Sequence, residues 1–404
     1  MSEIYALDLG TTKFCIATIS YHGHDPIIKK TVVPAKGMRR GMLDNIELAT
    51  QALNNLLELA EKDFGRDIRE VVVGIAGSHL RGRIGKGMID MGGDVVTAED
   101  ELEVLELCAN KVTSQKFEIL HNIPLYYQID NRELVESAVS FSGDYLNCES
   151  FIIEADRNYM KDIVRLCNHC GLSVKKLYAE PYASASVTVS HALKQAGVVA
   201  ADIGGGTTDG IVFKNGKPIR LFTVNIGGEM FTKDLSIGLN ILESKAHELK
   251  HELGLTMISG GRELVSITGK KIYVENKDVY HILRSRTTEL HEKVNLSLRG
   301  IKPLLRGGIV LTGGGSELAG LTPLMAQLFE LESSKIEPEI PKLNIQTGGD
   351  GSETQRIKTQ TKFATLAGLL YLAISDFGSL QSKDHKMNPT KILKSFVNWL
   401  KEIA

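Results

Sequence analysis

Residues 198–213 read VVAADIGGGTTDGIVF, and this stretch decides the fold. The apolar run 198–201 predicts a buried strand, and Asp202 lies at its end. The three glycines 204–206 let the backbone turn sharply and present its N–H groups to a ligand, and two threonines follow them. Amides and hydroxyls in this arrangement are typical of a phosphate site. The alternative is a glycine-rich hairpin without a ligand, because short motifs also occur by chance.

The same pattern recurs twice in the chain. Residues 4–19, IYALDLGTTKFCIATI, again give an apolar strand, an aspartate (Asp8), a glycine, two threonines and a second strand. Residues 308–321, GIVLTGGGSELAGL, give a strand, three glycines and the start of a helix. Two such hairpins predict duplicated halves that face one nucleotide, with the third loop at its adenosine end. A carboxylate such as Asp202 at a strand end suits a hydrated Mg²⁺ ion.

At this point the chain resembles the superfamily of actin, the sugar kinases and the DnaK-type chaperones. The order of the three loops matches that superfamily's two phosphate motifs and its adenosine motif. The resemblance implies an α/β, actin-like (ribonuclease H-like) fold of two duplicated lobes.

Composition limits the classes of function. The chain has 404 residues, 43% of them hydrophobic and 24% charged, which indicates a soluble globular protein of two or more domains. A formal net charge of −2 gives no indication of nucleic-acid binding, so no nucleic-acid partner is expected. The beginning, MSEIYALDLG, lacks the features of a signal peptide, and we expect a cytoplasmic protein. Cys167 and Cys170 form a lone CxxC pair on one face of a helical pattern, which favours packing over metal or redox chemistry.

Several segments fall outside the duplicated pattern. Residues 79–155 carry no nucleotide motif and predict an inserted subdomain in the first lobe. Small residues predict a helix over 183–195, and a second helix over 363–374 is expected to cross it closely. The polar residues 344–362 predict a mobile loop.

Residues 389–404, PTKILKSFVNWLKEIA, predict an amphipathic helix. At 100° per residue its apolar side chains fill one arc of about 160°. Lysines flank this arc, which suits a helix that lies in a membrane interface and is too short to span it. The alternative is a terminal helix docked on the protein's own core, although the polar linker before it argues against docking. The predicted membrane residues are Ile392, Leu393, Phe396, Val397, Trp399, Leu400 and Ile403.

The insert and the tail together make the chain resemble one family within the superfamily, the bacterial division protein FtsA. The resemblance covers nearly the whole chain. It includes KGMRRGMLDNIE (36–47), GIAGSHL (74–80), HNIPLYYQID (121–130), YAEPYASA (178–185), NIGGEMFTKDL (225–235) and FATLAGLLY (363–371).

The resemblance also implies ATP and Mg²⁺ as ligands, and roles for particular residues. Asp8 and Asp202 would face Mg²⁺, and Asp202 and Glu180 would be the catalytic groups, with Glu180 orienting the attacking water. Helix capping beside Pro181 is an equally good role for Glu180. His247 departs from the family pattern, in which a Glu usually contacts the ribose. The implied nucleotide-binding residues are Gly10, Thr11, Thr12, Lys13, Gly204, Gly205, Gly206, Thr207, Thr208, Gly228, Glu229, His247, Lys250, Gly313, Gly314, Gly315 and Ser316.

For partners, the resemblance implies filaments of the chain itself, a membrane surface, other division proteins at the insert, and the C-terminal tail of FtsZ. Arg286 matches the position that receives this tail, although an ordinary ion pair with Glu289 explains it as well. The expected units are 1–78 with 156–196 and 363–376 (first core), 79–155 (insert), 197–240 with 301–362 (second core), 241–300 (small subdomain), 377–388 (linker) and 389–404 (tail).

The leading hypothesis is an ATP-binding, actin-like protein that polymerises on the inner membrane at the division site and tethers FtsZ filaments there. The sequence supplies the groups for ATP hydrolysis without giving a rate. A sugar-type kinase, a DnaK-type chaperone and a pilus-assembly relative of FtsA are the alternatives.

Overall fold

The structure is a computed structural model that describes residues 4–22, 25–110, 115–340 and 357–378. The predicted tail helix 389–404, nearly all of the predicted linker and most of the predicted loop 344–362 lie outside the described residues.

The described strands and helices follow one another through two similar halves. The strands are β1 (Tyr5–Leu9), β2 (Lys13–His22), β3 (Asp25–Pro34), β4 (Met38–Arg39), β5 (Met42–Leu43), β6 (Glu70–Ile75), β7 (Leu80–Asp90), β8 (Phe117–Ile129), β9 (Tyr145–Asp156), β10 (Ser173–Ala179), β11 (Val198–Ile203), β12 (Thr208–Lys214), β13 (Lys217–Val224), β14 (Gly261–Val265), β15 (Lys271–Glu275), β16 (Ile309–Thr312), β17 (Ser333–Lys335), β18 (Glu339–Ile340) and β19 (Ile357–Lys358). The helices are α1 (Ile46–Phe64), α2 (Ala98–Asn110), α3 (Arg157–His169), α4 (Glu180–Thr188), α5 (His191–Ala196), α6 (Gly228–Leu239), α7 (Glu243–Leu253), α8 (Asn276–Ser297), α9 (Leu321–Phe329) and α10 (Ala364–Gly378).

Two five-stranded sheets share one topology. The first has the order β10-β6-β1-β2-β3, and the second, read in the same direction, has the order β17-β16-β11-β12-β13. In each sheet an antiparallel three-strand meander is followed by parallel strands on its other side. The duplication predicted from the glycine hairpins is therefore confirmed. It places the ends of β1 and β11 opposite each other.

Two helices lie between these sheets and cross closely, as predicted. α4 contacts α10 and also strands β10, β11 and β12. A Cβ atom at Gly368 of α10 would lie 2.0 Å from the carbonyl oxygen of Ala183 in α4, so the helices approach backbone to backbone. Only glycine permits this contact.

The predicted single helix over 183–195 is wrong, since the structure divides it into α4 and α5. The chain leaves helical geometry at Val189 and Ser190, which have extended backbone angles. The Ser190 hydroxyl then accepts a hydrogen bond from the Leu193 N–H at 3.3 Å and caps α5. A serine cap inside a run of small residues ends one helix and begins the next.

The insert is a three-stranded sheet of order β7-β9-β8 covered by α2. Its own apolar cluster includes Val104, Cys108 and Leu146. A second addition, on the other half, comprises α7, the β14–β15 hairpin and α8, and its apolar side chains join the core of the second sheet. The two sheets thus carry different additions on a common frame.

Candidate functional site

The two predicted phosphate loops connect strand pairs of the same geometry. Asp8 pairs with Cys15 across β1 and β2, and Asp202 pairs with Asp209 across β11 and β12. The loops between these pairs therefore have the same length. Both open into one cleft between the two sheets.

The loops interlock across this cleft. A Cβ atom at Gly205 would lie 2.4 Å from Cγ2 of Thr12, and one at Gly206 would lie 2.6 Å from Cα of Arg40 and 2.7 Å from Oγ1 of Thr11. These distances are shorter than any van der Waals contact. The threonines of the first loop thus occupy the space that the glycines of the second loop leave open.

The start of helix α6 holds the second loop. The N–H groups of Gly228 and Glu229 donate to the carbonyl oxygens of Gly204 and Gly205, both at 2.9 Å. These two hydrogen bonds hold the loop against the start of α6.

The third glycine loop abuts the second strand end. Gly313 has a φ of +81°, and a Cβ atom there would lie 2.1 Å from Oδ1 of Asp202. Gly315 packs in the same way against the side chain of Ile203, at 2.4 Å. Both glycines are therefore required by close approach to the strand that carries Asp202.

A cavity of about 800 Å³ lies between the three loops, and most of the predicted nucleotide-binding residues line it. Thr208 and Ser316 are not among the lining residues. Their hydroxyls donate to the carbonyl oxygens of Ile226 and Gly313, both at 2.7 Å, and so stabilise the loops from behind. The predicted residues that line the cavity are Asp8, Gly10, Thr11, Thr12, Lys13, Glu180, Asp202, Gly204, Gly205, Gly206, Thr207, Gly228, Glu229, His247, Lys250, Gly313, Gly314 and Gly315.

Among the described residues, seven carboxyl groups line this cavity, and four of them, those of Asp8, Glu180, Asp202 and Asp209, are close enough to interact electrostatically. Burial raises the pKa of Asp202 to about 7, with the charges of Asp209 and Asp8 adding to the shift and the hydroxyl of Thr365, which donates to it at 3.0 Å, opposing it. Burial also raises the pKa of Asp8, against the opposing charge of Lys13. Carboxylate oxygens gathered in a buried cleft suit a hard divalent cation.

The donor set therefore fits Mg²⁺, but with few direct ligands from the protein. Among the described residues, no three His, Cys, Asp or Glu side chains are grouped closely enough to hold a metal ion by themselves. Mg²⁺ usually keeps several waters and binds through one or two carboxylates together with substrate phosphates. Asp8 and Asp202 remain the residues predicted to hold it.

Glu180 is the first residue of α4, and its side chain enters the cavity. A Cβ atom at Gly74 would lie 2.6 Å from Cγ and Oε1 of Glu180, so the glycine of β6 makes room for this side chain. The helix start has no side-chain cap. Burial, followed by the charges of Asp8, Asp209 and Asp202, raises the pKa of Glu180 well above its ordinary range. The alternative role for Glu180, capping of its helix, is not seen in this geometry.

Asp209 was not predicted as a site residue. Its Oδ1 accepts from the Gly77 N–H at 3.1 Å and from the Thr223 hydroxyl at 2.6 Å, and its Oδ2 accepts from the Thr207 hydroxyl at 2.7 Å. Gly77 belongs to the first half and lies just before the insert. Asp209 therefore joins the second predicted phosphate loop to the base of the insert. Its position in the TTD sequence after the glycines was the available signal.

The opposite end of the cavity is formed by helices α6 and α7. The Lys250 ammonium donates to the Gly228 carbonyl oxygen at 3.1 Å and to the Thr232 hydroxyl at 2.9 Å, and burial lowers its pKa. His247 lies in edge-to-face contact with His251, with ring centroids 4.5 Å apart. Burial and the charge of Lys250 lower the pKa of His247. Glu243, Ser244, His251 and Glu317 also line this end and were not predicted.

Arg286 lies on α8, away from the cavity. Its guanidinium binds both carboxylate oxygens of Asp234 in α6, at 2.5 and 2.8 Å, and also contacts Glu289. The predicted alternative pair with Glu289 is therefore present, and the bidentate partner Asp234 was missed. The site that Arg286 was predicted to offer to a partner stays a prediction.

None of the helices in the described part of the chain is long and apolar enough to cross a membrane. The predicted membrane residues, from Ile392 to Ile403, lie outside the described residues.

Two models of known families match the sequence. The model "Cell division protein FtsA" matches residues 199–368, and the model "SHS2 domain inserted in FTSA" matches residues 77–154. Together they cover more than half of the chain, and the second coincides with the predicted insert.

The chain belongs to the FtsA family. It is 28% identical over 338 residues to the cell division protein FtsA of Pseudomonas aeruginosa, with 81% of each chain covered. It is 28% identical over 396 residues to FtsA of Neisseria meningitidis, with 95% of this chain and 92% of that one covered. It is 27% identical over 346 residues to FtsA of Escherichia coli, with 81% and 82% covered. The family predicted from sequence is confirmed.

Comparison with solved structures shows that this chain has the expected fold. The chain matches a structure described as a PilM–PilN type IV pilus biogenesis complex, with a TM-score of 0.62 and 17% identity over 92% of this chain and 98% of that one. It matches MreB5 of Spiroplasma citri bound to ADP with a TM-score of 0.53 and 13% identity over 94% and 98%. The predicted actin-like α/β fold with an inserted subdomain is confirmed.

Proposed function

We propose that the chain binds ATP with Mg²⁺ in the cleft, polymerises, and tethers FtsZ filaments to the inner membrane at the division site. The observation that carries the nucleotide site is the interlocking of the two Asp-Gly hairpins around one cavity. Their N–H groups and hydroxyls suit phosphate, and the four carboxyls suit a cation that accompanies it. When bound, Mg²⁺ would neutralise phosphate charge, and Asp8 and Asp202 would hold its water shell.

The residues suggest a division of labour along the cavity. Gly10–Thr12 and Gly204–Thr207 would surround the phosphates, while Glu229, His247 and Lys250 would contact the nucleoside. Glu180 would orient the water that attacks the terminal phosphate, because its side chain enters the cavity near Asp8 and Asp202 and does not cap its helix. A raised pKa suits a group that must accept a proton near neutral pH.

Calorimetry with the full-length protein tests the nucleotide site. We expect ATP to bind when Mg²⁺ is present and to bind much more weakly in EDTA. Asp202→Asn should reduce the Mg²⁺-dependent part of the affinity. Absence of binding by folded protein in Mg²⁺ would contradict the proposal.

Membrane attachment is proposed for residues 389–404. The apolar arc can be tested in the full chain with Phe396→Glu and Trp399→Glu, each of which puts a charge on that arc. Asn398→Glu, on the opposite arc, is the matched control. We expect co-sedimentation with anionic liposomes to be lost in the first two variants and retained in the third. Equal loss in all three would indicate an effect of charge alone.

Partner binding is proposed for Arg286 and its surroundings. The Arg286–Asp234 pair joins α8 to α6, so replacing either residue removes the same ion pair. Arg286→Ala should weaken binding of an FtsZ C-terminal peptide, whereas Asp234→Ala should leave it unchanged or strengthen it, because the guanidinium is then available. Similar losses in both variants would mean that the pair is only structural.

Self-assembly and the insert complete the proposal. Polymerisation would link many weak tails and hold the polymer on the membrane by avidity. The insert would contact other division proteins. The sugar-kinase and pilus-assembly alternatives are less favoured, because the family matched is that of a cell division protein and the likeness to PilM concerns the fold.

A further inference from the structure

One side chain of the insert contacts the strand end that precedes Glu180. His121 lies on β8, and its Nε2 accepts a hydrogen bond from the N–H of Ala179 at 3.0 Å. Its ring lies beside the rings of Tyr182 and Tyr178, with centroid distances of 4.8 and 5.8 Å. The insert begins after β6, and through His121 it contacts the end of β10, a strand of the same sheet that follows the insert in the sequence.

Ala179 is the last residue of β10, and Glu180 is the first residue of α4. β10 is an edge strand of its sheet, and Ala179 is fully buried. No side chain near the start of α4 caps this helix, and His121 of the insert instead binds the backbone N–H of its N-cap residue, Ala179. A shift of the turn would move the carboxyl of Glu180 relative to Gly74, against which it packs.

The imidazole is in the state that this bond requires. Nε2 can accept only when the ring is neutral and Nδ1 carries the proton. Burial, helped by the charge of Lys176, lowers the pKa of His121 to about 3. The ring is therefore neutral throughout the range in which the protein would work.

We propose that His121 is a positioning residue for Glu180: by accepting the Ala179 N–H, the insert fixes the turn from which Glu180 enters the cleft. This inference rests on the proposed function, and specifically on a role for Glu180 in ATP hydrolysis. It gives the insert a contact with the reaction site in addition to its covalent connection.

Three full-length variants separate positioning from simple support. His121→Gln can place an acceptor oxygen where Nε2 lies, because the two atoms are the same number of bonds from Cα. His121→Leu fills similar space without an acceptor. Glu180→Gln removes the acid itself, and the double variant His121→Leu with Glu180→Gln completes a cycle.

The measurements are the single-turnover rate of ATP hydrolysis with Mg²⁺ and the dissociation constant for ATP. We expect His121→Leu to lower the rate about tenfold, since small displacements of a reacting group have effects of this size or larger. Its affinity for ATP should change by less than about twofold, because Glu180 acts on the attacking water rather than on binding. His121→Gln should retain most of the rate, and His121→Leu should add no loss to Glu180→Gln.

Other outcomes would overturn the proposal. An unchanged rate in His121→Leu, an equal loss in His121→Gln, or a full further loss in the double variant would show that His121 does not act through Glu180. Parallel losses of rate and ATP affinity would indicate a structural role only. ATP binding without any turnover by the wild-type protein would overturn this inference and leave the proposed ATP-binding function standing.

Discussion

The two predicted phosphate hairpins have the same strand pairing and loop length but different side chains. Asp8 and Asp202 occupy equivalent positions, and so do their cross-strand partners, Cys15 and Asp209. Between them, the first loop has Thr11 and Thr12 where the second has glycines. The difference shows that the duplicated halves have become complementary: the threonines fill the space above the glycines, and the two loops could not close on each other if both carried threonines.

The residues that pair with Asp8 and Asp202 across the strands also differ between the two hairpins. Cys15 is buried, and burial raises the pKa of its thiol to about 12, so it behaves as a small apolar side chain. Asp209 is also buried but accepts three hydrogen bonds, one of them from Gly77 in the other half. The partner in the first hairpin, Cys15, thus packs within its own sheet, while the partner in the second, Asp209, also connects the two halves.

The largest effect is expected from making the second loop resemble the first. Gly206→Thr would place a side chain against the backbone of Arg40, and the cleft could not close. We expect ATP affinity to fall by more than about a hundredfold, equivalent to about 2.7 kcal/mol. The same measurement on Gly205→Thr should also show a loss, because its side chain would meet Thr12.

The rescue of these variants sharpens the comparison. Thr12→Gly should restore part of the affinity of Gly205→Thr, since the obstacle there is a side chain. Thr11→Gly should not rescue Gly206→Thr, since the obstacle there is the backbone of Arg40. Thr12→Gly alone serves as the control and should lose far less affinity than Gly205→Thr. If neither pair differed from its single variant, the loops would not interlock in solution.

A smaller effect is expected from the pH dependence of stability without metal or nucleotide. The pKa of Asp202 is about 7 in the folded protein, whereas the ordinary pKa of an aspartate is 3.8. The folded state therefore binds the proton more tightly. The protonated carboxyl of Asp202 therefore stabilises the folded protein at low pH, and this stabilisation is lost as the pH rises through about 7. Each unit of pKa shift is worth about 1.4 kcal/mol.

Asp202→Asn cannot ionise and can still accept from the Thr365 hydroxyl. The free energy of unfolding of the variant minus that of the wild type should increase by about 2 kcal/mol from pH 5 to pH 8. This is the range in which Asp202 of the folded wild-type protein loses its proton. Urea denaturation in EDTA at the two pH values measures this. Asp8→Asn should change in the same direction, since burial raises the pKa of Asp8 as well. A stability difference between variant and wild type that is the same at pH 5 and pH 8 would contradict the proposed electrostatics.

The sequence was sufficient for the features that depend on local pattern. The hairpins around Gly10 and Gly205 follow from a strand, a carboxylate and a glycine turn within one short stretch. The crossing of α4 and α10 follows from small residues at Ala183 and Gly368. The inserted segment was recognisable because residues 79–155 interrupt the repeat. Each of these signals lies within one short stretch or, for the crossing helices, within each of two short stretches.

The features that were missed depend on residues far apart in the chain. Asp209 accepts from Gly77, Arg286 binds Asp234, and His121 accepts from Ala179, at separations of 132, 52 and 58 residues. No periodicity or short motif contains both members of such a pair. They become visible only when the sheets bring the strand ends together.

The smallest effect concerns the two cross-strand partners. Asp209→Ala leaves the buried Gly77 N–H and two threonine hydroxyls without their acceptor, but it also removes a carboxylate whose pKa is raised by burial. The net loss of stability should be about 1–2 kcal/mol, and the loss from Cys15→Ala, which only leaves a small cavity, should be similar. Total stability therefore does not separate the two variants.

Amide hydrogen exchange at Gly77 separates them. If Asp209 joins the halves, exchange at Gly77 in Asp209→Ala should be about tenfold faster than the global loss of stability alone produces, since a factor of ten corresponds to about 1.4 kcal/mol of additional local opening. In Cys15→Ala the Gly77 N–H keeps its acceptor, and its exchange should follow only the global change in stability. Equal exchange at Gly77 in the two variants would mean that Asp209, like Cys15, acts only within its own half, and the complementarity of the halves would then reside in the threonines and glycines alone.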